Sequence, residues 1–159
     1  MNRSKTQDSN AAKVPEPGEG KRGEAGYLSY LLRQAAGAVR LRLERRLADL
    51  DVTPPQFLVL TMLDAYPGAS GADVARLAML TPQTVHGIIG NLERAELISR
   101  SPHPVHGRVQ VVVLTKAGRT LLAGCKERAV KADAELKAGL SPSEEAVIRR
   151  WLIGLAKQD

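Results

Sequence analysis

Residues 70–114 decide the fold. They begin Ser70-Gly-Ala-Asp-Val-Ala-Arg-Leu-Ala-Met-Leu80 and continue Thr81-Pro-Gln-Thr-Val-His-Gly-Ile-Ile-Gly-Asn-Leu-Glu-Arg-Ala-Glu-Leu-Ile-Ser-Arg100. A Pro-, Gly- and His-rich link follows, and then Val109-Gln-Val-Val-Val-Leu114. Ser70 and Thr81 each offer a hydroxyl to a backbone N–H three residues on, and Pro82 occupies a first helical position, where a missing N–H costs nothing. Two short helices are therefore expected, joined by a tight turn. Leu97–Ser101 and Val109–Leu114 read as strands, the second dense in β-branched residues. Two helices and a hairpin in this order make a winged helix-turn-helix.

The helix from Thr81 shows the clearest pattern. Val85, Ile88, Ile89 and Leu92 form one apolar stripe at i, i+3, i+4 and i+7. Steps of 100° place Gln83, Gly87, Gly90 and Arg94 opposite that stripe, with His86 on one flank and Thr84 and Asn91 on the other. That outer face is small or hydrogen-bonding, without the Glu/Lys mixture of an ordinary solvated helix. Mid-helix glycines cost about 1 kcal/mol each relative to alanine. Either Gly87 and Gly90 allow close approach to a groove floor, or they merely weaken a short helix held by its packing. The helix before it is expected to bury Val74, Leu77 and Ala78.

The link at 102–108 is too long and Pro-rich for a two-residue turn and should project as a loop. Arg108 at its base suits a narrow minor groove, which attracts guanidinium; the alternative is an arginine shielding a hairpin edge.

The flanks are helical. Leu28, Leu32, Ala35, Val39, Leu43, Leu47 and Leu50 make one stripe along 26–50, with Arg33, Arg40, Arg42, Arg45 and Arg46 mostly off it. Those arginines are a solvated face or a DNA contact. Thr53-Pro-Pro-Gln56 and Ser141-Pro-Ser-Glu144 are capping boxes. The helix after Thr53 carries Phe57, Leu58, Val59, Leu60, Met62 and Leu63, a run that should be buried. Thr115 to about Lys137 is a second long helix with Leu121, Leu122, Cys125, Ala129, Ala132 and Leu136 on one face. The last helix is expected to bury Val147, Ile148, Trp151, Leu152 and Leu155. Three stripes that outrun a small core imply a helical dimer interface, against the alternative of one monomeric bundle.

Composition agrees with a mainly α (α+β) chain. The 159 residues are 43% apolar and only 3% aromatic, and the net charge of +6 favours an anionic partner. No run of about 18 apolar residues is present, so no membrane span is expected, and the first residues lack a signal peptide's apolar stretch. The single cysteine excludes an internal disulfide framework and fits a reducing cytoplasm. Residues 1–24 have almost nothing to bury and read as a disordered tail. Its acids nearly balance its bases, so solvation is a plainer role for it than contact with phosphates.

The phrase Thr-Val-His-Gly-Ile-Ile-Gly-Asn-Leu-Glu-Arg-Ala-Glu-Leu-Ile (84–98), then Arg100, a wing loop, Arg108 and Leu-Thr-Lys-Ala-Gly-Arg (114–119), resembles the MarR family of bacterial transcriptional regulators. The likeness covers about Tyr27 to Lys157. It implies a homodimer joined by N- and C-terminal helices, with one winged domain per subunit on a pseudo-palindromic duplex. It also implies repression, relieved in many members by a small phenolic or other aromatic ligand. The expected organisation is a tail (1–24), a dimerisation region (25–50 and 116–159) and a winged DNA-binding domain (51–115).

On this reading Gln83, Thr84 and His86 meet the major groove, and Thr81 and Gly87 also contact DNA; glutamine can pair with adenine through two bonds. Ser70, Arg94 and Arg100 hold phosphates, and His106 and Arg108 belong to the wing. Tyr27, Tyr30 and Arg33 are the candidate polar contacts for a ligand. Two departures from the family pattern stand out. His106 occupies a place where an acid often braces the wing arginine. Glu96 stands where a helix-ending glycine is common, which predicts a different backbone geometry at that turn.

Other chemistries find little support. His103-x-x-His106 is too small a set for a four-coordinate metal, and Cys125 is expected on a core-facing position, away from oxidants. No phosphate loop, acid–base pair or nucleophile motif suggests an enzyme, and no cofactor is expected. A winged-helix adaptor that binds only protein is the remaining alternative, but it would present apolar anchors on the 83–94 face.

Overall fold

The computed structural model describes residues 14–102 and 110–157. Its elements are α1 (Leu28–Leu47), α2 (Pro54–Ala65), α3 (Gly71–Leu77), α4 (Pro82–Arg94), β1 (Ile98–Pro102), β2 (Gln110–Leu114), α5 (Lys116–Leu136) and α6 (Pro142–Ala156). The chain divides within α1 into two compact units, one ending at Ala38 and the other beginning at Val39.

In the first unit, residues 14–26 make a series of tight turns around a 3-10 turn at Gly20–Arg22. Arg22 holds them: Nη1 donates to the Pro15 carbonyl at 2.7 Å and Nε to Gln34 Oε1, on α1, at 2.9 Å. The tail expected over 1–24 lies outside the described residues up to residue 13; from residue 14 on the chain follows these turns.

In the second unit, helix starts are written by side chains. Thr53, Ser70 and Ser141 each close a full capping box with Gln56, Asp73 and Glu144, while Thr81 and Thr115 accept from the N–H groups of Thr84 and Gly118. Each such cap is worth about 1 kcal/mol. Beneath them lies one apolar core: Val59, Leu60 and Leu63 of α2, Val74 and Ala75 of α3, the whole α4 stripe, Ile98, Val112 and Leu114 of the hairpin, and Leu122 of α5. A smaller cluster of Leu47, Val52 and Cys125 joins the end of α1 to α5. The hairpin is antiparallel, with Ile98 opposite Leu114 and Arg100 opposite Val112.

Three expectations are corrected. Leu77 is exposed, because α3 turns Val74, Ala75 and Ala78 inward and leaves Leu77 beside Tyr66 on an open groove. In α2, Val59, Leu60 and Leu63 are buried, whereas Phe57, Leu58 and Met62 are only partly covered. Helix α6 buries nothing: Val147, Ile148, Trp151, Leu152 and Leu155 are between 40% and 55% exposed. Among the described residues nothing covers that face.

The turn at Glu96 is also corrected. Its φ is +57°, the left-handed conformation a glycine would take. Glu96 N–H bonds to the Glu93 carbonyl and Leu97 N–H to the Leu92 carbonyl, a Schellman ending made without glycine. Met79, at φ +52°, ends α3 in the same way.

Candidate nucleic-acid interface

Helix α4 presents the outer face that its sequence predicts. Val85, Ile88, Ile89 and Leu92 are at most 9% exposed. Gln83, Thr84, His86, Gly87, Asn91 and Arg94 lie outward, with Gly90 partly covered. A Cβ on Gly87 or Gly90 would meet nothing within 4 Å, so neither glycine is required by packing inside the protein. The face holds no apolar anchor.

At the start of α4 the Thr81 and Thr84 hydroxyls lie 2.8 Å apart, and Thr81 also accepts from the Thr84 N–H. Gln83 and His86 project from the same first turns. Toward the far end, Arg94 lies back along its own helix, with Nε donating to the Gly90 carbonyl at 3.2 Å and Nη2 to Asn91. Both partners are neutral, so Arg94 keeps its full charge.

Arg100 stands on β1 and reaches across to α4, where its Nε lies 3.0 and 3.2 Å from the two carboxylate oxygens of Glu93. A groove of about 240 Å³ beside it is lined by His86, Val85 and Ile89 of α4, by Gly71 and Ala72 of α3, and by Pro82 and Val112. His86 and Arg100 thus share one concavity between helix and hairpin. Nothing in the sequence pattern announces the Glu93–Arg100 pair, because the partners come from different elements joined by an unusual turn.

Ser70 caps α3, its hydroxyl accepting from the Asp73 N–H at 3.2 Å. Its hydroxyl donates to Asp73 Oδ2 at 2.6 Å, and its N–H bonds to the same oxygen at 3.0 Å. These bonds hold the Asp73 carboxyl below the usual range, with Arg76 adding to the effect.

Of the remaining expected site residues, His106 and Arg108, together with His103, lie outside the described residues. Tyr27, Tyr30 and Arg33 are exposed at the start of α1, and Lys21 Nζ lies 5.7 Å from the Tyr27 ring centre. Cys125 is fully buried, and burial pushes its thiol up, which removes it from easy oxidation. Among the described residues no three metal-binding side chains come together.

The arginines of α1 divide. Arg46 pairs with Glu135 of α5 and Arg40 with Glu44 of its own helix. Arg128 of α5 grips Asp49 through two nitrogens, Nε at 2.9 Å, and Lys126 reaches Asp64 at 2.6 Å. These ion pairs fasten α5 to the ends of α1 and α2. Charge alone gave no register for them in the sequence.

A helix-turn-helix whose second helix carries a polar face, followed directly by a hairpin, defines a winged helix-turn-helix DNA-binding protein. Comparison with known proteins agrees. A MarR family model matches residues 50–109. The HTH-type transcriptional repressor Rv2887 of Mycobacterium tuberculosis is 33% identical over 125 residues, covering 79% of this chain and 90% of the relative. BpsR of Bordetella bronchiseptica, whose DNA binding is regulated by 6-hydroxynicotinic acid, superposes with a TM-score of 0.77 at 27% identity, over 86% of this chain and 97% of that one. The transcriptional repressor CouR, solved bound to a 23-mer DNA duplex, superposes with a TM-score of 0.74 at 27% identity, over 82% of this chain and 93% of that one.

The chain belongs to the MarR family and is a DNA-binding transcriptional regulator. Among the described residues no helix is long and apolar enough to cross a membrane.

Proposed function

We propose that the protein is a cytoplasmic, homodimeric repressor, without enzymatic activity, that holds a pseudo-palindromic operator until an aromatic acid releases it. The observation that carries this reading is the outer face of α4: small, polar, free of apolar anchors and backed by a fully buried stripe. In this reading Gln83, Thr84 and His86 meet the major groove, Thr81 and Gly87 also contact DNA, Ser70, Arg94 and Arg100 meet phosphates, and His106 and Arg108 form the wing contact.

Residues 51–115 are then the DNA-binding domain, and 25–50 with 116–159 the dimerisation region. The uncovered apolar face of α6 supports a second copy as its cover, since five large apolar side chains on one helix would otherwise stay in water. The M. tuberculosis relative was solved with salicylic acid. An aromatic carboxylate is accordingly our ligand class, with Tyr27, Tyr30 and Arg33 as its polar contacts.

The test is binding of the full-length protein to its own upstream region and to a scrambled duplex of the same composition, with and without salicylate. Salt-dependent preference for the upstream region, weakened by salicylate, supports the reading. Equal binding to both duplexes rejects it.

A further inference from the structure

We propose that Glu93 is a positioning residue of the DNA surface, one that gives up net positive charge to fix the direction of Arg100. The proposal rests on the reading above that Arg100 meets the operator.

The charge on this surface is unexpected. A surface built to meet phosphate carries a carboxylate on the flank of its reading helix. Steps of 100° along α4 put Glu93 two turns beyond His86 on the same side. Alone, that carboxylate would repel a duplex. It is instead satisfied by a single guanidinium: both Glu93 oxygens lie within 3.2 Å of Arg100 Nε. Among the described residues the terminal amino groups of Arg100 have no partner.

The pair is too exposed to be explained by folding. The side chains are 45% and 38% exposed, and ion pairs of that kind contribute little to stability. Its effect is geometric. Arg100 has four flexible side-chain bonds and projects from a short strand opposite Val112. Contact at Nε, from a residue of α4 itself, ties the guanidinium to the reading helix rather than to the hairpin, so phosphate contact and base contact share one rigid element.

Arg94 is the internal contrast. It too is tethered, but by the neutral Gly90 carbonyl and Asn91 side chain, so it keeps its charge. Arg94 supplies attraction, and the Glu93–Arg100 pair supplies direction.

This division has a signature that a structural role lacks. The full-length protein would be measured on the tightest duplex selected from a random pool and on its scrambled counterpart, across a salt series. Glu93→Gln unmasks the arginine charge. It should strengthen scrambled-duplex binding about twofold to threefold, steepen the salt dependence, and lower the ratio of selected to scrambled affinity about tenfold. Arg100→Lys, which keeps the charge but has no Nε to grip, should lower the same ratio with little change in salt dependence. The proposal is overturned if Glu93→Gln leaves the ratio unchanged while Arg100→Ala lowers it. If Arg100→Ala also leaves the selected-duplex affinity at the wild-type value, the underlying reading of Arg100 falls with it. Thermal melting of each variant separates these results from loss of folding.

Discussion

Gly118, in the first turn of α5, passes so close to Leu97 that a Cβ placed on it would sit 1.9 Å from the Leu97 carbonyl oxygen. The same carbonyl accepts from the Thr115 N–H and hydroxyl, both at 3.1 Å, while the Thr115 hydroxyl also donates to the Glu96 carbonyl at 2.8 Å. The Thr-Lys-Ala-Gly phrase is thus a corner joint: it pins the start of α5 to the point where α4 turns into the wing. Backbone cannot yield as a flexible side chain can. Gly118→Ala should therefore destabilise the protein by about 1–3 kcal/mol, read from urea or thermal unfolding.

The opposite sign is expected at Glu96. A non-glycine residue in the left-handed region costs about 1 kcal/mol, and Glu96 is exposed at φ +57°. Glu96→Gly should stabilise the protein by up to that amount while preserving the Schellman bonds, checked by the same unfolding measurement.

Gly87 and Gly90 separate stability from function. Neither has a neighbour that an added methyl would meet, so alanine at each should raise stability by about 0.5–1 kcal/mol. If the glycines serve close approach to a groove, the same variants must weaken operator binding. A more stable protein with lower operator affinity is the expected pair of results, measured by thermal melting and by fluorescence anisotropy.

Helix α6 gives a prediction about assembly. Ile148→Glu or Trp151→Glu places a charge on a face that a second copy is proposed to cover. Sedimentation should then shift from dimer toward monomer, while helical content by circular dichroism is retained.

Acid acts through the caps and clamps. The Ser70 bonds hold the Asp73 carboxyl low, and the Arg128 hydrogen bonds do the same for Asp49. A depressed carboxyl contributes stability above its unfolded value and loses it as pH falls through the folded one. Melting temperature should therefore drop as pH falls through and below the ordinary carboxylate range. Asp49→Asn should lie below wild type at neutral pH and converge with it in acid.

The sequence discloses the elements of this fold better than their partners. Four helix starts, at Thr53, Ser70, Thr81 and Ser141, were legible because their signals are local: a hydroxyl, a proline, an acid or amide three residues on. The α4 stripe was legible because 3.6-residue periodicity survives any tertiary context. Leu77 was misread because a seven-residue helix is too short for periodicity to tell a core edge from a groove edge. The α6 face was misread as buried for another reason: apolar spacing reports that a face needs cover, not that the same chain provides it. The turn at Glu96 was hidden because its geometry is imposed by the Schellman bonds and the Leu97–Thr115 corner against the preference of its side chain. Glu93 and Arg100 meet only after that turn has been made.

The central claim is that the outer face of α4 reads base sequence. Its most direct measurement is the affinity of wild type and Gln83→Ala for the selected duplex and for a set of single-base variants, at several salt concentrations. The account predicts that Gln83→Ala loses about 1–3 kcal/mol of discrimination at one base position with an unchanged salt slope, whereas Arg94→Ala weakens every duplex alike and lowers the slope by about one unit. Uniform weakening by Gln83→Ala, with discrimination intact at every position, would contradict it.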